Sequence, residues 1–588
     1  MALGTPSESP AVVVKEIDLT GGVPNVQSTT GAFVGNFSWG PETTTRKISN
    51  EAELVDVYGA PTESNNIDFI SASYFLRYSN SLEISRAATS AAKNARSTHG
   101  QTAADSDGTL ATVNVSNEFA FDPALAALDS NNQTFIGRYK GSLGNSIRVS
   151  LCPYSTSDTL FNNWVYKSSF DAAPGTSTFA TNKAASFDEV HVAVVDQGGL
   201  LTGTKGTVLE TYPFVSVGSN AQNTDGTNNF IKDVLNERSS YVFMVNFDSD
   251  FNAAAAGTTI DSGDNFTVSN LTQTKLNYDF AGGVNSGALT TSEILSSFDK
   301  FEDKDTIEVD FLIAPSMTTT VDQTTVVNDL VSTAQSLRKD CVVVASPARD
   351  DVINLTDAGT ITTNIVATAN TFTKSSYLVQ DGNFLKVYDK YNDKYIQIPA
   401  ASSTAGLMAA TDRNAAPWFS PAGARRGQYL GVTSIPYSPT KAQRDTLYKA
   451  GVNPIANIPG AGLILFGDKT NLGRPSAFDR INVRRLFLVL ERAISRAAES
   501  VLFEFNDEFT RAEFVNIVEP VLREVKGRRG ITDFRVVCDE TNNTGAVIDR
   551  NEFIASIFIK PARSINYVTL NFVAVRTGVD FEEVVGTV

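Results

Sequence analysis

The chain has 588 residues, 42% of them apolar, and a formal charge of −17. That length gives a soft expectation of about three or four domains, and the apolar share excludes a disordered chain. The acidic balance excludes a nucleic-acid wrapper, which needs basic stripes against phosphates.

Taken in chain order, residues 1–22 read as an N-terminal arm. Met1 to Pro10 is small and polar. Ala11 to Thr20 is β-branched and partly alternating, with Val12, Val13, Val14 and Ile17 as its apolar positions, and Gly21-Gly22 follows as a hinge. The start has neither the basic nor the apolar region of a secretory signal. Residues 23–87 read as compact α/β, with strands at Thr30 to Val34 and Leu82 to Arg86 and helices at Ser49 to Val57 and Ile67 to Tyr78. The small, polar run ATSAAKNARSTHGQTAADSDG then marks a domain junction.

Residues 110–187 are rich in Ser, Thr, Asn and Gly with frequent turn signals, which predicts a β-rich outer insertion. Residues 88–109 and 188–305 read as a second, mixed α/β inserted domain. It holds the strand EVHVAVVD and the helix–strand pair of FIKDVLNERSSYVFMVN. Thr306 to Pro315, a helix from Val326 to Leu337, and Asp340 to Pro347 follow the β-α-β pattern of a parallel sheet. Segments 23–87 and 306–477 are therefore read as one middle α/β domain, interrupted by outward insertions.

Residues 478–588 carry the strongest periodicity. Val483, Leu486, Phe487, Leu490, Ile494, Ala497 and Val501 form one helical stripe, with Asp479 placed to cap its start and Asn506 and Asp507 to end it. Thr510 and Glu513 read as a capping box for a second helix, which buries Phe514, Ile517, Val518, Val521, Leu522 and Val525 and takes a kink at Pro520. The turn Gly527-Arg528-Arg529-Gly530 stops it. Strand-like runs follow at Asp533 to Asp539, Phe553 to Lys560 and Ile565 to Arg576. After Gly578 the tail VDFEEVVGTV, a C-terminal arm over 579–588, carries Val579, Phe581, Val584 and Val585 and has no hairpin partner in sequence. An unpaired strand of this kind pairs with another chain.

Sites for chemistry are scarce. Cys152, Cys341 and Cys538 are odd in number and far apart, which fits a reducing compartment and no disulfide framework. His99 and His191 have no metal-ligand spacing. Gly460-Ala461-Gly462 lacks the third glycine of a dinucleotide turn, with Leu465 in its place, and precedes a strand. The glycines of GGLLTGTKGT lack a P-loop's lysine position, and Ser336 to Lys339 matches S-x-x-K without its companion motifs. Asp105 to Gly108 and Asp248 to Asp250 complete no calcium loop, and Glu302 to Asp310 reads as a solvated face. No catalytic residue, metal or cofactor is expected, and no run of about 18 apolar residues spans a membrane. Arg523, Lys526, Arg528 and Arg529 form a basic cluster on an acidic chain. It is either a solvated helix end favoured by the helix dipole or a contact with an acidic partner surface.

Several long strings carry a family resemblance: NVRRLF, LFEFNDEFTRAEF, GRRGITDFRVVCDETNNTG and FIKPARSINYVTLNFVAVRTG near the end, and SPAVVVKEIDLT, GAFVGNFSWGP and PWFSPAGARRGQYLGV before them. In this order they resemble the tail sheath proteins of contractile bacteriophages, of the large T-even-like type. Ala11 departs from the pattern, where glycine is expected after Ser9-Pro10. The resemblance implies a mixed α/β and β, multidomain fold, with an α/β core built from both chain ends, two inserted outer domains (one β-rich), a C-terminal sheath domain and terminal strand-exchange arms. It implies a non-enzymatic virion subunit, made in the host cytoplasm, that forms a helical homo-oligomeric lattice around a tail tube protein and contracts. Its partners would be that tube, the baseplate and tail terminator proteins, with no direct nucleic-acid contact and no membrane insertion. The tube is one candidate for the acidic surface facing the basic cluster. The alternatives are the sheath of a phage-derived injection particle or secretion system and, from a different class, a β-rich receptor-binding or glycan-degrading tail protein.

Overall fold

The computed structural model describes residues 29–97, 115–116, 120–124, 134–247, 256–267 and 276–565. The positions expected to form the two arms, Val12, Val13, Val14 and Ile17 at one end and Val579, Phe581, Val584 and Val585 at the other, lie outside these residues. The described chain divides into two compact units. One holds Trp418–Ser420 and the chain from Arg496 onward; the other holds the remainder.

The larger unit contains two seven-stranded sheets. In the first, the strands run from one edge in the order Val452–Asn453, Leu378–Asp381, Val342–Ala345, Phe311–Ile313, Gly31–Asn36, Leu82–Ala87 and Arg46–Ile48. All neighbours are parallel except the last pair. The strand nearest the start of the described chain thus sits inside the sheet, with Ala32 opposite Leu312 on one side and Glu83 on the other. Alternation along these strands builds two apolar faces, as a sheet covered on both sides requires. Phe33, Ile84, Phe311, Ile313, Val342 and Val344 join Tyr74 and Phe75 of the helix Asn66–Leu76 and Ala405 and Met408 of the helix Ala401–Asn414. Ala32, Val34, Leu312 and Val343 face Ile294 and Phe298 of Thr291–Phe298 and Val326 and Leu330 of Thr320–Ser332. Gly406 sits within its helix because the Tyr78 ring lies where a Cβ would project, 2.4 Å away.

The expected strands at Thr30 and Leu82 and helices at Ser49 and Ile67 form within a residue or two of their predicted starts. The helix expected from Val326 starts earlier, at Thr320. Thr319 supplies the cap, its hydroxyl accepting the Asp322 amide at 3.2 Å. Sequence periodicity missed this first turn because Thr320 to Thr325 is polar and its outer face is solvated.

Asp381 ends one parallel strand in the middle of this unit and is fully buried. Ser346 Oγ donates to it at 2.9 Å and Thr404 Oγ1 at 3.2 Å. Burial pushes its carboxyl up to about 7.

The second sheet is antiparallel throughout and orders Thr207–Ser216, Glu189–Asp196, Ile147–Pro153, Asn277–Ala281, Asn94–Ser97, Phe135–Lys140 and Val242–Met244. Segments 88–109, 110–187 and 188–305 all contribute strands to it. Phe135, Val149, Val192, Ile231 and Tyr278 share its core. His191 is buried there as a neutral ring, its Nε2 donating to Ala172 O at 2.8 Å and its Nδ1 accepting the Phe214 amide at 3.1 Å. Both ring nitrogens are thereby used within the core.

The smaller unit is built from the end of the helix Ile481–Glu499, the helix Glu508–Gly527 and a two-stranded antiparallel sheet of Ile531–Val537 and Ser556–Pro561. The first helix stops at Glu499, before Asn506. The second is capped by Asp507, whose side chain accepts the Thr510 amide at 2.8 Å. The expected capping box is therefore displaced by one turn: Thr510 is already inside the helix and buried, and the aspartate takes its role. Phe514, Val518, Leu522 and Val525 are buried as predicted, while Ile517 and Val521 are half-exposed.

Candidate assembly interface

Three of the four arginines of the helix Ile481–Glu499, concealed by its apolar stripe, find partners within the larger unit. Arg485 and Arg492, seven residues apart, share one face of the helix. The Arg485 guanidinium grips both carboxylate oxygens of Asp412, donates to Met408 O at 3.0 Å and lies 4.7 Å from the Phe311 ring centre. The two side chains are only 5% and 3% exposed. Arg492 donates to Asp310 Oδ1 at 2.7 Å and to Asp340 O at 2.9 Å. Asp310 also accepts the Thr30 amide at 2.9 Å, which ties the start of the described chain to the same helix. Arg484 sits between the Tyr377 and Phe478 rings, at 4.3 and 4.2 Å, and donates to Ser376 Oγ at 2.8 Å. Burying a guanidinium calls for partners of this kind, and of these three side chains Arg484 alone leaves a buried nitrogen, its Nε, without a hydrogen-bond partner. Arg484 and Arg485 of the NVRRLF string, with Arg492 beyond it, thus clamp this helix within the larger unit.

In the smaller unit the asparagines of the recognisable strings hold the backbone. Asn543 Nδ2 donates to Ile554 O at 2.8 Å, and its Oδ1 accepts the Ile554 amide at 2.9 Å. Asn506 donates to Glu552 O at 2.8 Å and accepts from Arg511 at 2.9 Å. The turn between the two long helices is thereby fixed from inside, while Leu502, Phe503, Phe505 and Phe509 project outward.

The basic residues lie at the far end of the second helix and are all exposed. Arg523 pairs with Glu519 at 2.6 Å, Arg528 with Glu524 at 3.4 Å and Lys526 with Asp533 at 3.1 Å, and Lys526 holds the Asp533 carboxyl below its usual range. Exposed pairs of this kind add little to stability. The helix ends as a Schellman motif, Gly530 N to Val525 O at 2.9 Å and Arg529 N to Lys526 O at 3.0 Å. Its left-handed position is filled by Arg529, at φ +67°, and not by glycine. Gly530 is required for a different reason: a Cβ there would lie 2.6 Å from Val525 and 3.0 Å from the Trp418 ring.

Among the described residues no group of three or more His, Cys, Asp or Glu could hold a metal ion. No described helix is long and apolar enough to cross a membrane. Cys152, Cys341 and Cys538 are free thiols, and burial pushes each of them up.

A family model described as the phage tail sheath protein central domain matches residues 287–471, and one described as the phage tail sheath C-terminal domain matches 474–574. The clamp arginines and the basic turn both fall inside the second match. The chain is 31% identical to the tail sheath protein of Vibrio phage KVP40, covering 98% of this chain and 99% of that one. It is 30% identical to the tail sheath protein of Enterobacteria phage T4, again over 98% and 99%. Its fold is similar to the crystal structure of a sheath tail protein from Listeria innocua, with a TM-score of 0.53 at 11% identity over 91% of this chain and 96% of that one. Identity at this level across nearly the whole of both chains assigns the family, and the chain belongs to the tail sheath proteins of contractile phages.

Proposed function

We propose that this chain acts without chemistry, as a subunit that polymerises into a helical sheath around a tail tube and contracts by exchanging one set of subunit contacts for another. The sheath would be assembled in the host cytoplasm, meeting the baseplate at one end and a terminator at the other. In this reading 23–87 with 306–477 form the middle domain, the segments between them face outward, and 478–588 form the inner, lattice-building domain.

The observation that carries the reading is the small sheet of the C-terminal unit. Among the described residues it has two strands, Ile531–Val537 and Ser556–Pro561, so both outer edges present backbone donors and acceptors. A two-stranded sheet is marginal in water, and each open edge accepts a further strand. The arm around Val12, Val13, Val14 and Ile17 and the arm around Val579, Phe581, Val584 and Val585 supply strands of suitable length from neighbouring copies. Each added strand contributes on the order of four to six hydrogen bonds, at about 0.5–1.5 kcal/mol apiece. Such links keep subunits connected while the bodies they join slide and rotate. The basic turn of Arg523, Lys526, Arg528 and Arg529 meets an acidic partner surface, for which the tail tube is one candidate.

Ending the chain at Thr577, or removing residues 1–20, is expected to give a soluble monomer that melts cooperatively and forms no tubes. Sedimentation and electron microscopy of both truncations beside the full chain test this. Normal tubes from either one would rule out strand exchange.

A further inference from the structure

The turn between the two long helices places four large apolar side chains in water within eight residues. Leu502 is 62% exposed, Phe505 83% and Phe509 77%, and Phe503 is fully exposed. A contiguous patch of this kind marks an interaction surface. Its charged members are all acidic: Glu504, Asp507 and Glu508 lie among the aromatics, and all three are exposed. Phe503 occupies the left-handed region at φ +71°, which a bulky side chain rarely adopts.

The opposite end of the second helix has the complementary chemistry. Lys526, Arg528 and Arg529 are exposed there, and Arg529 is likewise carried on a left-handed residue. On the adjoining hairpin Lys560 stands opposite Asp533, the partner of Lys526, and Phe558 shares its strand face and is 61% exposed. One end is thus aromatic and acidic; the other is aromatic with an excess of basic groups, Lys526, Arg528, Arg529 and Lys560 against Glu524 and Asp533. A single helix of 20 residues separates them, about 30 Å at 1.5 Å per residue. A helix of this length keeps its own ends apart, so the two surfaces can meet only between chains.

We propose that the acidic-aromatic turn 502–509 of one copy docks on the basic end of the helix Glu508–Gly527 of a second copy. The charge complementarity commits the contact to this pairing, and its head-to-tail sense makes it heterologous. A heterologous contact closes into rings or propagates as a helix. The proposal rests on the assembly reading above and names the acidic surface that reading leaves open. It differs from strand exchange in being made by side chains and in being screened by salt.

The test uses the full-length chain. Glu504→Lys with Glu508→Lys, and separately Arg528→Glu with Arg529→Glu, should each raise the protein concentration at which tubes or oligomers form by about tenfold or more in low salt. The four changes combined in one chain should restore assembly to within about threefold of wild type, because the reversed charges match again. Arg529→Gly separates structure from contact: it should raise the melting temperature by relieving the left-handed strain while still weakening assembly. Wild-type assembly by both charge-reversed chains, beside a wild-type chain that assembles, overturns the docking proposal alone. So does a combined variant that is not rescued, with Arg528→Glu/Arg529→Glu impaired only on a purified tail tube; the basic turn then faces the tube. A wild-type chain that stays monomeric under every condition overturns the assembly reading and this one with it.

Discussion

Replacing Arg485 with alanine is expected to destabilise the larger unit by about 3–5 kcal/mol, because it strands a buried carboxylate. Asp412 would lose the guanidinium that now grips both of its buried carboxylate oxygens. The Met408 carbonyl would lose a donor and the Phe311 ring its cation. A loss of that size consumes much of the roughly 5–15 kcal/mol by which a domain is stable. Arg485→Met combined with Asp412→Leu should recover most of it, since an apolar pair of similar volume carries no desolvation penalty. Urea denaturation followed by far-ultraviolet circular dichroism measures all three chains. A single-variant loss below about 1 kcal/mol, or a double variant no better than the single, would contradict the charge-burial account.

A second large effect is expected from pH. Asp381 holds its proton up to about 7 in the folded chain, whereas an ordinary aspartate releases it near 3.8. Between these values the folded state binds the extra proton, so Asp381 favours folding fully below pH 4 and progressively less as pH rises through 7. The difference amounts to about 4 kcal/mol at 1.36 kcal/mol per unit. Asp310 and Asp351 are also pushed up by burial and add slopes of the same sign. The measurement is therefore the difference between wild type and Asp381→Asn, which keeps the volume and removes the titration. The asparagine chain should gain on wild type steadily from pH 4 to 7 and level off above. A constant difference across that range would mean that Ser346 and Thr404 hold the carboxylate ionised.

Much of the architecture was legible because it follows from pattern. The parallel strands show as short β-branched runs, VVVA at Val342–Ala345 among them, and the long helices show as repeating apolar positions. What pattern could not show is where polar residues win. Arg485 and Arg492 drew no reading from the sequence, since nothing in a periodicity announces that Asp412 and Asp310 wait across the core. Asp507 displaced Thr510 as the cap, a choice between two good capping residues that tertiary packing made by burying the threonine. The basic turn was visible as a charge cluster, but the exposed apolar turn 502–509 was not. LFEFNDEF reads as the end of one apolar helix and the start of another, and only its exposure separates it from core. Glycine spacing located the end of the second helix but misplaced the reason, because the left-handed residue is Arg529 and Gly530 is demanded by Trp418.

The position of Gly31–Asn36 inside the first sheet also sets a timetable for synthesis. Thr30 and Asp310, which hydrogen-bond to each other, are 280 residues apart in sequence. At about 5–20 residues per second a ribosome needs roughly 14–56 s to cover that distance. Until the end of that interval the strand can gain a neighbour on one side only, at Leu82–Ala87, and its other edge stands open beside the ribosome. An unpaired apolar strand is the standard seed of aggregation. The antiparallel sheet encoded between the two halves has all of its strands translated by Ala281, before the first sheet can close. The inserted region therefore emerges as a body able to fold while its host sheet is still half made, and the nascent chain has to shelter the waiting strand until the second half arrives.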